Sequence, residues 1–460
     1  MPSRVEEVLK KKLDPVELVR IFRRKQAKLG RGVDRIDSAA FERRMSVEVG
    51  HASRKAINGK LKFSPYQELL ISKGRDKPPR VIARPTIRDN LVLSALKDAL
   101  HEELPADVPR KLPNQVIREL LNALKVHKGA SILRFDIKSF YDSIPHAKLL
   151  PMVRKRVGNG LALGLIREAI SGYIVPEGYR RLELSKYAIR RGVPQGLPIS
   201  NFLAHIYLSR IDQKLSDLVL AYFRYVDDIL VITTDDEAIE VDKSFSKSLA
   251  GLGLKVNKEK SRAIGRGEKF DFLGYEIDGG FARPRRASIE KFIRSIAAMF
   301  SSFHRGRFIG RRSDSWSPDE RGWVFVEELN ERITGAINGG KQYGWVFYFN
   351  ESTDLSVFAG IDSVIKKMAY RTDELTSGMR HAIKTTLRAY HESKYSKLAG
   401  YILNYDANSS LEDKANFLLR LKYVERSALG GMSDQAIDAL YASRVSERLS
   451  RLEKDVGLIS

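Results

Sequence analysis

The chain contains no cysteine among its 460 residues, so it has neither disulfide bonds nor a zinc site built on cysteine. Its 8 histidines form no His-Glu-x-x-His motif, and no Gly-x-x-x-x-Gly-Lys-Ser/Thr phosphate loop is present. No apolar run approaches the roughly 20 residues that span a membrane, and the start of the chain lacks the apolar core of a signal peptide. We therefore expect a cytoplasmic protein with no membrane partner.

Positive charge is in large excess. The chain has 80 lysines and arginines against 57 aspartates and glutamates, which gives a formal charge of +23 and a pI near 9.8. Such a surplus favours a polyanionic partner, most often nucleic acid, although a generally basic surface is the plain alternative. The length suffices for several domains with a full hydrophobic core.

Two adjacent carboxylates, Asp227 and Asp228, lie in residues 222–233, which read YFRYVDDILVIT. The apolar and aromatic arms on either side predict a β-hairpin with the acids at its tip. Ionised side chains beside apolar residues cost free energy unless a cation or another partner compensates for them. A polar turn that happens to hold two acids is the alternative interpretation of this segment alone.

A third acid, Asp136, ends the strand predicted at residues 131–136. A strand end is a natural place for a metal ligand, because a central sheet positions side chains rigidly; a turn acid is the alternative. The elements predicted after it are helices at 145–157, 199–216 and 238–251, a strand at 254–261 and a hairpin at 270–277. This order favours an antiparallel sheet backed by helices, which would bring Asp136 beside Asp227 and Asp228.

Extending a nucleic-acid strand requires a 3′-hydroxyl to attack the α-phosphate of a nucleotide. Two Mg²⁺ ions about 3.5–4 Å apart promote this reaction, and Mg²⁺ prefers carboxylate oxygens together with substrate phosphates. The three acids suit such a pair of ions. Cations around residues 73–80, between two β-like runs, suit the triphosphate. The Gly/Pro-dense loop at 192–198, GVPQGLP, permits close backbone approach to a ligand.

These motifs, in this order, resemble those of reverse transcriptases from about residue 32 to residue 277. FDIKSFYDSI at 135–144 resembles the motif that carries the first catalytic aspartate, and YVDD at 225–228 resembles the Tyr-x-Asp-Asp box. The resemblance implies that Asp136, Asp227 and Asp228 are catalytic and hold two Mg²⁺ ions. It also implies an α+β right-hand polymerase, with fingers, a ferredoxin-like palm, an all-α thumb and a C-terminal extension.

The same resemblance assigns the nucleotide contacts. GVPQGLPIS, GLKVNKEKS and FDFLGYEI match the motif beside the incoming nucleotide and the two motifs after the box, the last being the primer grip. The residues expected to bind the nucleotide are Lys73, Arg80, Tyr141, Gln195 and Lys260. Tyr141 falls at the family's steric-gate position, where an aromatic ring excludes a ribose hydroxyl and so selects dNTPs.

Three domains are predicted: an N-terminal helical extension at 1–60, fingers and palm at 61–283, and a helical basic thumb and C-terminal domain at 284–460. Residues 291–312 are both basic and aromatic, which is typical of a nucleic-acid groove, with an ordinary amphipathic helix as the alternative. The nucleic-acid-binding residues predicted there are Arg294, Arg305, Arg307, Arg311 and Arg312.

The resemblance implies an RNA-directed DNA polymerase, a nucleotidyltransferase. GWVFYF at 344–349 resembles the group II intron lineage, whereas Ser200-Asn201 stands where intron and retron enzymes usually have Ser-Pro. That departure is similar to abortive-infection and other defence-associated reverse transcriptases. We expect a structured non-coding RNA as template or scaffold, a DNA product and a role in antiphage defence. The alternatives are an intron-type reverse transcriptase or maturase, a protein-primed or untemplated DNA polymerase, and a catalytically silent RNA-binding protein.

Overall fold

The computed structural model describes residues 4–26, 29–72, 78–105, 111–306, 315–395 and 400–456. The chain divides into two compact units: unit 1 is Met1–Lys111 with His127–Arg266, and unit 2 is Leu112–Val126 with Gly267–Ser460. These bounds differ from the predicted domains, since the N-terminal helices belong to unit 1 and residues 267–283 belong to unit 2. None of the helices in the described ranges combines the length and apolarity needed to cross a membrane.

Helices dominate the described residues. They are α1 (Arg4–Lys12), α2 (Pro15–Lys25), α3 (Ser38–Glu42), α4 (Met45–Ile57), α5 (Ile87–Glu103), α6 (Pro113–Val126), α7 (Phe140–Ser143), α8 (His146–Val157), α9 (Leu161–Ile170), α10 (Ser200–Ser216), α11 (Ala238–Gly251), α12 (Arg286–His304), α13 (Pro318–Thr334), α14 (Trp345–Tyr348), α15 (Ser356–Tyr370), α16 (Ser377–Ala382), α17 (Thr386–Tyr395), α18 (Leu411–Arg420), α19 (Arg426–Leu429) and α20 (Asp434–Val456). Short 3-10 helices lie at Arg181–Tyr187 and Tyr405–Ala407.

Within the described ranges, the strands form four small sheets. They are β1 (Tyr66–Ile71), β2 (Arg80–Arg84), β3 (Ser131–Asp136), β4 (Ile174–Val175), β5 (Ala221–Tyr225), β6 (Asp228–Thr233), β7 (Arg262–Ile264), β8 (Phe270–Phe272), β9 (Tyr275–Asp278), β10 (Phe281–Pro284), β11 (Ala336–Asn338), β12 (Lys341–Tyr343) and β13 (Leu403–Asn404). Unit 1 holds the sheets β2-β1-β4 and β5-β6-β3-β7, and unit 2 holds β10-β9-β8 and β12-β11-β13.

The four-stranded sheet of unit 1 is antiparallel throughout, as the sequence predicted. One face is apolar: Phe135 on β3 and Ile229 on β6 are paired across the strands and belong to the main core. The Phe135 ring lies 4.2 Å from the Phe245 ring of α11, measured between centroids. Because side chains alternate along a strand, the acids beside these residues are directed to the opposite face.

The strand predicted at 254–261 is wrong. Val256 makes only an isolated bridge with Ile137, the chain then turns, and β7 begins at Arg262. The reason is a competing set of hydrogen bonds: the backbone N–H of Asn257 donates to the carbonyl of Asp136 at 2.8 Å, and the N–H of Ser261 donates to the carbonyl of Asn257 at 2.9 Å. This turn brings the side chains of Asn257, Lys260 and Ser261 to Asp136 at the end of β3.

The loop after residue 190 is held against β2 of the other sheet in unit 1. The N–H of Ala83 donates to the carbonyl of Gln195 at 2.7 Å. Gly196 has φ +102°, and a Cβ there would lie 2.6 Å from Ile82 Cγ2 and 2.8 Å from the Ala83 carbonyl oxygen. Only glycine fits this approach, because the left-handed backbone and the contact both exclude a side chain.

Unit 2 is mainly helical, and its core is aromatic. Phe292 of α12 stacks on Trp345 with ring centroids 4.7 Å apart and planes 12° apart. The amphipathic pattern predicted after Ser433 is confirmed by α20, which buries the apolar residues of that pattern: Ile437, Tyr441, Val445, Leu449 and Leu452. The small sheet β12-β11-β13 was not predicted, since its strands are only two or three residues long. Inside this unit, buried Arg448 pairs with Glu331, and its Nε donates to the Tyr405 hydroxyl at 2.9 Å.

Candidate active site

Asp136 and Asp228 are directly opposite each other in the four-stranded sheet. Asp136 is the last residue of β3, Asp228 is the first residue of β6, and the two are paired in the antiparallel register. The same register pairs Tyr225 with Asp228 across the hairpin, which leaves Val226 and Asp227 as its two-residue turn. Opposite residues of a sheet share a face, so this pairing brings the predicted acids together at one sheet end.

The turn that carries Asp227 has a strained backbone, which a hydrogen bond from Arg224 stabilises. Val226 has φ 61°, a left-handed conformation that a β-branched residue rarely adopts and that costs about 1–3 kcal/mol. Arg224, whose side chain is only 6% exposed, donates from Nη1 to the Val226 carbonyl at 3.0 Å. Asp212 of α10 holds the same guanidinium by two hydrogen bonds, one of them 2.6 Å long. An ion pair between buried Arg224 and half-buried Asp212 therefore fixes the turn that presents Asp227.

Asp136 is positioned by the turn at 257–261. The side-chain amide of Asn257 donates to Asp136 Oδ2 at 2.8 Å, and the N–H of Asp136 donates to Ser261 Oγ at 2.9 Å. The Lys260 ammonium lies 3.3 Å from Asp136 Oδ1, and its side chain is 60% exposed. Lys260, predicted to bind the nucleotide, is thus brought to the acids, and its flexible stem leaves it free to move to a phosphate.

The electrostatics of the acids favour a cation. Burial raises the pKa of Asp227, and repulsion from Asp136 adds to the rise, while Arg80 and Lys260 oppose it. Burial also raises the pKa of Asp228 to about 6, although Arg134 works against this rise. Carboxylates whose ionised forms are destabilised by burial and mutual repulsion are stabilised by a divalent ion between them.

The oxygen donors of Asp136 and Asp227 suit Mg²⁺, a hard cation that takes one or two protein carboxylates along with substrate phosphates. Asp228 was expected to be a metal ligand with the other two acids, but in the structure its carboxylate binds Arg134. Within the described part of the chain, no group of three or more His, Cys, Asp or Glu side chains is arranged to hold a metal ion. The role of Asp228 as a third ligand stays a prediction.

The predicted steric gate lies beside the acids. Tyr141 follows β3 in the short helix α7, and its hydroxyl donates to Asn201 Oδ1 of α10 at 2.5 Å. Burial raises the pKa of Tyr141 far above its ordinary range, and the negative charge of Asp227 contributes to the shift. The side chain is therefore neutral, and it is held by an asparagine that lies 60 residues away in the sequence.

The remaining nucleotide contacts are partly described. Arg80 begins β2, and its positive charge acts on both Asp227 and Tyr141. Gln195 lies in the loop held against β2 and is half-buried, with its carbonyl bound to the Ala83 N–H. Lys73 lies outside the described residues.

The structure agrees only in part with the nucleic-acid groove predicted at 291–312. Arg294 and Arg305 are exposed, but the aromatic residues Phe292, Phe300 and Phe303 are buried in the core of unit 2, so they cannot stack on bases. The alternative of an amphipathic helix with a solvated basic face describes α12. Arg307, Arg311 and Arg312 lie outside the described residues.

Four polar residues around the acids were missed: Arg134, Asn201, Arg224 and Asn257. Arg134 had a signal, since it is two residues before Asp136 and a strand places such residues on one face. Asn201 and Asn257 act through contacts between segments 60 and 121 residues apart, which no local pattern shows. Arg224 acts within its own hairpin but depends on Asp212 of α10, a contact that the hairpin pattern does not show.

Residues 71–277 match the family model of the reverse transcriptases, described as RNA-dependent DNA polymerase. The protein YkfC of Escherichia coli is 22% identical over 293 residues, which cover 54% of this chain and 75% of YkfC. The group II intron-encoded protein LtrA of Lactococcus lactis is 26% identical over 167 residues, which cover 35% of this chain and 27% of LtrA.

Among solved structures, telomerase from Candida albicans in complex with a fragment of telomeric RNA is a weak overall match. It shares 14% identity at a TM-score of 0.41, and the superposition covers 87% of this chain and 69% of the telomerase chain.

Proposed function

We propose that the chain, whose residues 71–277 match the family model of the reverse transcriptases, extends DNA from dNTPs with two Mg²⁺ ions on a structured non-coding RNA, in antiphage defence. The observation that carries the polymerase chemistry is the pairing of Asp136 with Asp228 across β3 and β6, with Asp227 in the adjoining turn. Asp136 thereby meets two acids that are far from it in sequence at the end of one sheet.

Asp136 and Asp227 are the residues that would hold Mg²⁺. When bound there, Mg²⁺ would lower the pKa of the primer 3′-hydroxyl and neutralise the leaving pyrophosphate. The chain's own contribution is orientation. Asn257 and Ser261 fix Asp136, and the buried Arg224 fixes the turn at Asp227, so the carboxylates are held before substrate arrives.

The cations and the gate act on the nucleotide. Arg80 and Lys260 both act electrostatically on Asp227, which supports a role for these cations in binding the phosphates of a nucleotide at the acids. Tyr141, adjacent to the same acid, would press on C2′ of the sugar and reject a ribose hydroxyl. The cations support binding of a nucleoside triphosphate, and the gate supports use of dNTPs and a DNA product.

RNA binding is supported by cations beside aromatic rings in unit 2, where Lys366 and Arg388 are exposed and Arg380 is half-buried. Lys366 and Arg380 lie 5.9 and 5.6 Å from the centre of the Tyr370 ring, which is 55% exposed. Arg388 lies 4.3 Å from the centre of the Tyr401 ring. Cations contact phosphates and exposed rings stack on bases, so these residues of α15–α17 and Tyr401 are the proposed RNA contacts.

Defence, rather than intron mobility, is favoured by Asn201. The intron and retron enzymes that the sequence resembles usually have proline there, and a proline side chain cannot accept the Tyr141 hydrogen bond. The Tyr141 hydroxyl therefore has a partner at residue 201 that the proline of those intron and retron enzymes cannot provide.

The test of the polymerase activity is RNA-templated incorporation of labelled dNTP by the purified protein with Mg²⁺. Asp227→Ala combined with Asp228→Ala should abolish incorporation, whereas Asp235→Ala, which changes an exposed acid of unit 1, should not. Incorporation retained in the double variant would refute the catalytic assignment. A product attached to a tyrosine and insensitive to RNA would identify a protein-primed enzyme, and no incorporation with the co-purifying RNA would leave a binding protein.

Two further measurements test the RNA and defence proposals. RNA affinity should fall steeply with salt, and Arg388→Glu should reduce the slope of log affinity against log salt by about 1, because a phosphate contact releases counterions. Lys341→Glu, at another exposed position of unit 2, should leave the slope unchanged. Phage plating on cells that express the wild type or Asp227→Ala tests defence: equal plating efficiency on both would contradict it.

A further inference from the structure

Arg134 and Asp228 form a two-pronged ion pair beside the active site. Arg134 Nε donates to Asp228 Oδ1 at 3.2 Å, and Nη2 donates to Oδ2 at 3.1 Å, so both carboxylate oxygens are engaged. The sheet register explains the contact: Arg134 is paired with Leu230, and Asp228 is two residues before Leu230 on the same face. The pair is thus a diagonal cross-strand contact between β3 and β6.

The three acids of the site differ in what already binds them. The Arg134 guanidinium occupies both oxygens of Asp228, so a metal ion that recruited Asp228 would have to displace Arg134. Asp136 meets a neutral amide and an exposed lysine ammonium 3.3 Å away. For Asp227, the described residues provide no ion pair. The acids most accessible to a cation are therefore Asp136 and Asp227.

We propose that Arg134 is a positioning residue that keeps Asp228 out of the metal site, so that Asp136 and Asp227 alone hold the divalent ions. This inference rests on the proposed polymerase function and replaces the expected role of Asp228 as a ligand. Asp228 directly follows Asp227 and begins β6, so its attachment to β3 fixes the backbone from which the Asp227 carboxylate projects. The strained Val226 beside them makes such an attachment necessary, since strain persists only where surrounding contacts enforce it.

The first experiment measures Mn²⁺ binding to the full-length protein without RNA or nucleotide, from the electron paramagnetic resonance signal of free Mn²⁺. Asp227→Asn should weaken Mn²⁺ binding by more than about 10-fold, since loss of a ligand costs at least as much as loss of an outer partner. In Asp228→Asn the amide oxygen can still accept a hydrogen bond from Arg134 and keep the turn attached, so the loss should stay below about 3-fold. Asp235→Asn is the matched control, because that exposed acid also pairs with an arginine, Arg266, in unit 1. Equal losses in Asp227→Asn and Asp228→Asn would overturn the proposal.

The second experiment tests the positioning role of Arg134 through kinetics. Arg134→Gln should lower kcat for dNTP incorporation by about 10-fold while changing KM by less than about 2-fold, because the acids move but the nucleotide contacts remain. Arg134→Lys should recover part of kcat, since lysine keeps the charge without the fork. An unchanged kcat in Arg134→Gln would refute the role.

The two readouts separate failure of the inference from failure of the proposed function. If the wild type binds Mn²⁺ through Asp227 but incorporates no dNTP, the polymerase proposal fails and the metal assignment stands. If Arg134→Gln does not fold, as judged by circular dichroism, the comparison of Asp227→Asn with Asp228→Asn still decides the proposal, because both keep Arg134.

Discussion

The hydrogen bond from the Tyr141 hydroxyl to Asn201 Oδ1 makes a sharp prediction about sugar selectivity. Tyr141→Phe removes the donor and keeps the ring, whereas Asn201→Ala removes the acceptor and keeps the hydroxyl. Either change releases the ring from α10, so the gate can turn away from the C2′ position. We expect both variants to accept rNTPs more readily than the wild type.

The size of the effect follows from the contact. An intramolecular hydrogen bond contributes about 0.5–1.5 kcal/mol, and 1.4 kcal/mol corresponds to about 10-fold, so each variant should lower the dNTP/rNTP preference by about 2- to 12-fold. Tyr141→Ala removes the ring itself and should cost more, about 100-fold, because rejection of a hydroxyl by shape is then lost.

The assay is single-nucleotide incorporation, comparing kcat/KM for a dNTP and the matching rNTP in the wild type, both single variants and the double variant. Since the two changes break the same bond, the double variant should match the single variants rather than show the product of their effects. Asn159→Ala, at an exposed asparagine of unit 1, is the control. Additive effects, or selectivity unchanged in Asn201→Ala, would show that this bond does not hold the gate.

Three further outcomes are expected. Asp227→Asn should reduce dNTP incorporation by about 1,000-fold or more in a primer-extension assay, because a carboxylate that holds metal is lost, and Asp235→Asn should stay near the wild-type rate. Burial and the neighbouring Arg224 lower the pKa of His205 to about 3. Below pH 6.5 the histidine therefore binds a proton in the unfolded chain but not in the folded protein, so lowering the pH destabilises the fold. Between pH 6.5 and pH 5, urea denaturation should show the free energy of unfolding of the wild type falling by about 2 kcal/mol relative to that of His205→Asn. Gly196→Ala should lower the free energy of unfolding by about 1–3 kcal/mol, because its Cβ would meet β2; Gly178→Ala, which has a similar left-handed backbone in open space, should cost only the smaller backbone contribution. Equal losses in the two glycine variants would contradict the close approach.

The elements of the four-stranded sheet could be predicted because their sequence patterns are local. The strand at 131–136 matches β3, and the hairpin at 222–233 matches β5 and β6 within a residue. A strand is recognised from the alternation of neighbouring apolar residues, and the acids follow directly at its end. Neither feature depends on contacts with distant parts of the chain. The same holds for α20, whose apolar spacing marks the buried face.

The exposure of the aromatic side chains in residues 291–312 could not be predicted, because it depends on contacts with distant segments. Composition cannot tell whether a phenylalanine faces solvent or a neighbouring helix. The structure buries Phe292 against Trp345, and the rings become core. The cations of that helix remain exposed, so only the charge part of the prediction survives as an expectation about RNA.

By itself, the sequence determined which acids exist, which strands carry them and which family the chain resembles. Only the tertiary structure decided how each acid is used: Asn257 comes from a turn 121 residues away to hold Asp136, and Arg134 takes both oxygens of Asp228. The physical reason is that hydrogen bonds between strands and turns depend on register and side-chain direction, which are properties of the assembled sheet.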